Sequence, residues 1–151
     1  MTTIPRHVIK TQSSTLIARP PQEVFDFVSD LSSRPRWDRE VVSAEWTSES
    51  PIRAGSTYEA ATGFLGRKIK IAVEITAWDP PTSWSYRSLS GPIQMEAMTT
   101  CEAEGNGTRV TETSQAQLSG FFKLAEGLLG KQLQKDRDKV LAALRVLLEA
   151  E

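Results

Sequence analysis

Ser119–Glu151, SGFFKLAEGLLGKQLQKDRDKVLAALRVLLEAE, decides how the remainder of the chain must fold. The stretch holds no proline, and Phe121, Ala125, Leu128, Leu129, Leu133, Val140, Leu141, Leu144, Leu147 and Leu148 recur in steps of three and four. That spacing puts them on one stripe of an amphipathic helix. Lys123, Glu126, Lys131, Gln134, Lys135, Asp138 and Arg145 fall largely outside the stripe, toward water. At 1.5 Å per residue the helix would run on the order of 45 Å, long enough that the rest of a small protein must wrap around it. Gly127 and Gly130 each cost roughly 1 kcal/mol in a helix relative to alanine. Their presence predicts that a strand or a ligand comes close to the first half.

The preceding residues supply the wrapping. Val8–Ala18 reads as an edge strand, and Pro20–Val28 as a helix of about two turns with Val24, Phe27 and Val28 on its apolar side. A second short turn leads into Trp37-Asp38. From Val41 the period changes to two, with strands over Val41–Thr47, Ser56–Ala61 and Arg67–Trp78. In the third, Ile69, Ile71, Val73, Ile75 and Ala77 alternate with polar residues, so one face is buried and the other wet. Thr62-Gly-Phe-Leu-Gly66 reads as a hairpin loop, Asp79-Pro-Pro-Thr82 and Ser90-Gly-Pro92 as turns, and Gly105-Asn-Gly107 as a tight hairpin. Strands over Ser83–Leu89, Ile93–Glu104 and Thr108–Leu118 complete the set. Met95 and Ala97 share one face of the second of these. Strands in succession with helices outside them predict an α+β fold. A curved antiparallel sheet of about seven strands would surround the long C-terminal helix, with two short helices after the first strand.

The 151 residues fit a single domain spanning 1–151, with 39% apolar and 25% charged residues and a net charge of −1. This balance gives no electrostatic footprint for nucleic acid. Cys101 is alone, which excludes an internal disulfide and fits a reducing compartment. The first residues lack the apolar run of a signal peptide and no stretch could span a bilayer, so a cytoplasmic protein without stable membrane insertion, monomeric or homodimeric, is expected. His7 is the only histidine, which leaves no histidine triad and no multi-histidine metal site. No cofactor or metal is expected.

Arg19-Pro-Pro-Gln-Glu-Val-Phe-Asp-Phe-Val-Ser-Asp30, followed by Pro35-Arg-Trp37-Asp38, resembles the opening of the START-like (SRPBCC) superfamily, and most of all its bacterial polyketide cyclase/dehydrase-type members. Gly55 before a strand, Trp78-Asp-Pro-Pro81, Gly107-Thr-Arg-Val-Thr111 and the final helix extend the resemblance over nearly the whole chain. It implies a helix-grip fold with a deep cavity between sheet and helix, entered by apolar or amphipathic ligands between loops at one end. It also implies that Thr62–Gly66 is a gate and that Ser90-Gly-Pro92 is a second closing loop. Neither carries the gate and latch residues of plant hormone receptors. The superfamily spans lipid carriers, hormone receptors, aromatase/cyclases, ring-hydroxylase subunits and chaperone co-factors.

Within this frame Glu112 is the carboxylate of interest. If Val110 faces inward, so do Glu112, Ser114 and Ala116. A carboxylate in an apolar cavity would have a raised pKa and could serve as general acid or base, or fix a polar ligand group. The opposite register, with Thr111 and Thr113 inward, remains open. Trp84 and Tyr86 share a face and could present a ring and a hydroxyl to a ligand; Arg87, on the other face, is a possible anion anchor. Trp37 could sit at the cavity mouth, and Asp38 with Glu40 reads as a surface pair. Phe64 and Leu65 form the gate. The candidate lining is then Trp37, Phe64, Leu65, Ile71, Val73, Trp84, Tyr86, Met95, Ala97, Glu112, Ser114, Phe121, Ala125 and Leu128. The leading expectation is binding of a lipid- or polyketide-like hydrophobic small molecule. The alternatives are a cyclase or dehydratase using Glu112 or Tyr86 for proton transfer, and a protein-interaction module.

Overall fold

The computed structural model describes residues 8–64, 66–91, 93–117 and 126–150. Strand β1 (Val8–Ile17) is followed by helix α1 (Pro21–Val28), a 3₁₀ turn over Leu31–Ser33 and the single-turn helix α2 (Arg34–Trp37). Strands β2 (Val41–Trp46), β3 (Thr57–Phe64), β4 (Arg67–Asp79), β5 (Ser83–Ser88), β6 (Gln94–Glu104) and β7 (Gly107–Gln117) then lead to helix α3 (Glu126–Glu149). The seven strands form one antiparallel sheet in the order β1-β7-β6-β5-β4-β3-β2. From β2 to β7 each strand pairs with its neighbour in sequence, the arrangement that short turns favour. The first strand joins the far side by pairing with the last, from Val8 opposite Gln117 to Ile17 opposite Thr108. The sheet and α3 make a helix-grip fold.

Local chemistry explains the short elements. Pro21 opens α1, where a missing N–H costs nothing, and Glu23 lies in its first turn. Val24, Phe25 and Val28 are its buried side; Phe25 replaces the expected Phe27, which is only half-buried. Asp30 caps the 3₁₀ turn by accepting from the Ser32 amide at 3.0 Å.

Helix α3 presses Val140, Leu141, Leu144 and Leu148 into a core with Ile17, Phe25, Trp84 and Val110. Polar contacts fix its position along β1. Gln134 accepts from the Gln12 amide at 3.1 Å and donates to the Gln12 carbonyl at 2.8 Å, and Ser13 donates to Asp138 at 2.6 Å. A smaller cluster of Ile9 and Ala116 packs with Ile93, Leu129 and Leu133.

Three further expectations need correction. The alternation of β4 breaks at a bulge between Ile75 and Ala77, so the inner row passes from Ile75 to Trp78 and Ala77 is exposed. Thr62, Gly63 and Phe64 are paired strand residues opposite Ile69, Lys68 and Arg67, so they belong to β3 and not to a five-residue gate loop; Gly66, with a φ of +79°, is a turn residue. Among the described residues nothing lies within 4 Å of a Cβ on Gly127, and a Cβ on Gly130 would meet the Ile9 side chain at an ordinary 3.6 Å. Neither glycine is there because something approaches too closely for a side chain. Close approach occurs instead at Gly107, where a Cβ would collide with the Ile17 carbonyl oxygen.

Candidate functional site

The two hydrophobic clusters do not meet across the inner face of the sheet. Between them lies a cavity of about 230 Å³, with walls from both clusters and from α3. Strands β3 and β4 contribute Tyr58, Ala60, Thr62, Ile69, Ile71 and Val73. Trp84 and Tyr86 come from β5, Met95 from β6, Glu112, Ser114 and Ala116 from β7, and Leu133 and Arg137 from α3. Period two along each strand brings these side chains together, since residues two apart share a face. The outer face of the sheet carries an open depression bordered by Lys10, Gln12, Arg87, Glu96 and Gln115. Arg87 there is paired with Glu74 across the strands at 2.8 Å.

One wall is ionic. Arg137 Nε donates to Glu112 at 2.7 Å and its Nη1 donates to Asp38 at 3.0 Å. The Arg34 guanidinium lies 3.3 Å from the same Asp38 oxygen and 3.7 Å from the other Glu112 oxygen. Asp38 is 1% and Glu112 4% exposed, so these charges interact far from bulk water. Burial alone would push the Asp38 carboxyl up, but Arg34 and then Arg137 outweigh it and hold the group below its ordinary value. Burial disfavours both guanidinium charges, yet the facing carboxylates keep Arg34 and Arg137 above the usual arginine range. Burial, then Glu112, raises the Tyr86 phenol. Burial, then Tyr86, does the same for Tyr58. Both phenols are therefore neutral near pH 7.

Aromatic rings back the ionic wall. Trp84 and Tyr86 lie 5.4 Å apart between centroids, and Tyr86 and Tyr58 6.4 Å apart. Trp84 in turn meets Trp78 edge to face at 6.0 Å. Among the described residues, Trp84 Nε1 and Arg137 Nη2 in this region are buried without a hydrogen-bond partner. Thr11 and Ser114 join hydroxyls across β1 and β7.

Of the residues expected to line a cavity, Ile71, Val73, Trp84, Tyr86, Met95, Glu112 and Ser114 are on its wall. The register of β7 left open by the sequence is the one with Glu112 inward. Its chemistry differs from expectation, because an arginine faces each oxygen and the group is a counter-ion, not a free carboxylate. Ala97 is buried in the inner row between Tyr86 and Ser114 but does not reach the cavity surface. Trp37 is buried behind the wall, donating to the Ser33 hydroxyl at 3.3 Å while the Arg34 guanidinium stacks 4.4 Å above its ring. Leu128 is 75% exposed; the helix turns its neighbour Leu129 toward Ile9 and Ala116, so Leu128 points to water and not to the cavity. The Phe64 side chain, Leu65, Phe121, Ala125 and His7 lie outside the described residues. Asp38, expected at the surface, is among the most buried charges of the protein.

Arg34, Arg137 and Tyr58 are polar site residues that sequence reasoning missed. Arg137 did carry a signal, lying four residues after Leu133 and four before Leu141, on the apolar stripe itself. Among the described residues, no cluster of histidine, cysteine and carboxylate side chains could hold a metal, and no helix is long and apolar enough to cross a membrane.

A gripped helix over an apolar cavity with one charge-balanced wall defines a START-like cavity protein. Comparison with known proteins agrees. Residues 8–149 match the family described as polyketide cyclase / dehydrase and lipid transport, and the chain belongs to that family. An uncharacterised protein of Mycobacterium tuberculosis is 30% identical over 73 residues, 47% of this chain; that match spans 41% of the relative, under half its length. Among solved structures, a Thermus thermophilus protein aligns with a TM-score of 0.81 and 24% identity over 93% of this chain and 97% of its own. A START superfamily protein of Mycobacterium smegmatis gives 0.80 at 11% identity, over 93% and 97%. The Zhui aromatase/cyclase of Streptomyces sp. R1128 gives 0.78 at 14%, over 95% and 94%. At these identities the three show the shared fold.

Proposed function

We propose that this protein binds an apolar or amphipathic small molecule in the cavity between sheet and α3, and that it holds the ligand without transforming it. The observation that carries this reading is the pairing within the cavity wall. Glu112 and Asp38 each face both arginines, so the two buried carboxylates of the cavity wall are both paired, and Glu40, the third lining carboxylate, is exposed at the cavity edge. Tyr86 and Tyr58 are neutral phenols, suited to donate a hydrogen bond and poor as bases at neutral pH. Proton transfer at carbon needs a base or acid matched to the working pH, whereas binding needs only shape and apolar burial at about 25 cal/mol per Å².

The volume bears on the ligand. Drug-sized molecules occupy sites of about 300–1,000 Å³, and an apolar cavity of about 150 Å³ admits benzene. A cavity of 230 Å³ lies between, on the scale of one or two fused rings or a short chain.

Native mass spectrometry of the protein purified from its own cells, followed by extraction of any adduct, tests the reading. A stoichiometric apolar adduct recovered unchanged supports a binder. Turnover of a polyketide-like substrate, lost in Glu112→Gln with the fold intact, would replace it with the cyclase or dehydratase reading that the family description also covers.

A further inference from the structure

The cavity's polar wall specifies which end of a ligand it can receive. Arg34 and Arg137 supply two positive charges, and Asp38 and Glu112 cancel them within 2.7–3.7 Å. Glu40, exposed at the cavity edge, adds a further negative charge. An incoming carboxylate would lose its hydration and find no net positive field to replace it. The donors still unmet are a different matter. Trp84 Nε1 and Arg137 Nη2 are buried, have no partner among the described residues, and belong to side chains on the cavity wall. Buried polar atoms without partners are rare in folded proteins and call for an explanation such as a missing ligand. Both are N–H groups, so the partner they lack is an acceptor. The rest of the wall is largely apolar, with Ile71, Val73, Ala60 and Met95 prominent.

We propose, resting on the binding reading above, that the cavity selects an uncharged one- or two-ring molecule bearing an oxygen acceptor, such as an aryl ketone, in preference to a carboxylate. Its oxygen accepts from Arg137 Nη2 or Trp84 Nε1 once a small side-chain shift uncovers that N–H, which the wall now covers, and its rings lie against the apolar wall. The Arg137 charge is already spent on Glu112 and Asp38, so it strengthens a hydrogen bond without demanding an anion.

Calorimetric titration of the full chain with 2-acetylnaphthalene, 2-ethylnaphthalene and 2-naphthoate separates the possibilities. The three share a ring system and differ in offering a neutral acceptor, no acceptor, or an anion. A hydrogen bond to a charged donor corresponds to about tenfold or more in affinity, so the ketone should bind at least about tenfold more tightly than either competitor. Equal binding of 2-ethylnaphthalene overturns the proposal while leaving the binding cavity intact. Tighter binding of 2-naphthoate overturns it in favour of an anion site. No binding by any of the three, or by naphthalene itself, overturns both the proposal and the binding reading. Trp84→Phe and Arg137→Lys each remove one unmet donor while keeping a ring or a charge in place. In at least one of them, folded by circular dichroism, the ketone-to-hydrocarbon affinity ratio falls several-fold. An unchanged ratio in both refutes the assignment of these donors.

Discussion

Replacing Arg137 by methionine removes one of two guanidinium groups from a four-charge set and leaves Asp38 and Glu112 to share Arg34. The lost contacts are the two short ones, 2.7 Å to Glu112 and 3.0 Å to Asp38; those that remain are 3.3 and 3.7 Å. The Arg137 side chain is 18% exposed and the side chains of Asp38 and Glu112 are 1% and 5% exposed, so water can do little to screen the surplus negative charge. Removing one partner of a buried pair costs about 3–5 kcal/mol, because the other charge stays behind uncompensated. Domains of this kind are stable by only about 5–15 kcal/mol. With a urea slope near 2 kcal/mol per M, the unfolding midpoint should drop by about 2 M. Urea titration at pH 7, followed by circular dichroism and by tryptophan fluorescence, reads this directly. The double variant Arg137→Met with Glu112→Gln restores charge balance around Arg34 and Asp38. It should therefore be more stable than the sum of the single changes by about 1–3 kcal/mol. A single-variant loss under about 1 kcal/mol, or strict additivity, would refute the reasoning, since the pairs would then behave as hydrated surface contacts.

The same network sets an acid limit. Arg34 and Arg137 overcome burial to hold the Asp38 carboxyl below its ordinary value, so the unfolded chain takes up that proton first as pH falls. Its stabilisation is complete above about pH 4 and is lost as pH drops below that value, and Asp38→Asn should flatten this part of a pH series of urea midpoints. Cys101 is buried and its thiol is pushed up to about 12 by burial, so a disulfide reagent at pH 8 should label it only at the rate of unfolding; rapid labelling of the native protein would contradict this. Two glycine substitutions should move stability in opposite directions in thermal melts. Gly130→Ala gains about 0.5–1 kcal/mol of helix propensity with ordinary contact to Ile9, while Gly107→Ala loses about 1–3 kcal/mol by driving a methyl into the Ile17 carbonyl.

Hydrophobic period carried most of the architecture. Alternation at Ile69, Ile71, Val73 and Ile75 and the spacing of Val140, Leu141, Leu144 and Leu148 identify the inner row and the helix stripe, because burial on one side imposes those periods directly. The bulge after Ile75 escaped, since no glycine or proline announces it, and it decides that Trp78 rather than Ala77 faces inward. Glycines misled at Gly63, where a loop was expected and a strand continues, because a glycine in a strand and a glycine in a turn look alike in sequence. Half of the ionic wall was out of reach for a different reason. Arg34 and Asp38 sit one turn apart, a local pair that reads as solvated. Only Glu112 on β7 and Arg137 on α3, distant in sequence, turn it into a buried network. Glu112 stood out from the alternation of β7, and Arg137 was visible in principle, as a charge on the apolar stripe.

The pairing of the first strand with the last has a consequence in time. Ile9 lies opposite Ala116, so β1 has no neighbour in the sheet until about a hundred further residues have been made. At translation rates of about 5–20 residues per second, that wait is on the order of 5–20 s. During it the growing chain can build the β2–β6 ladder by adding adjacent strands, but both β1 and the exposed side of β6 keep open edges able to pair with a neighbouring chain. Closing so long a loop is also entropically slow, which places this protein among the late, non-local folders. A nascent chain stalled before β7 should therefore be a far better substrate for a holdase chaperone than the finished protein, whose first strand is sealed between β7 and α3.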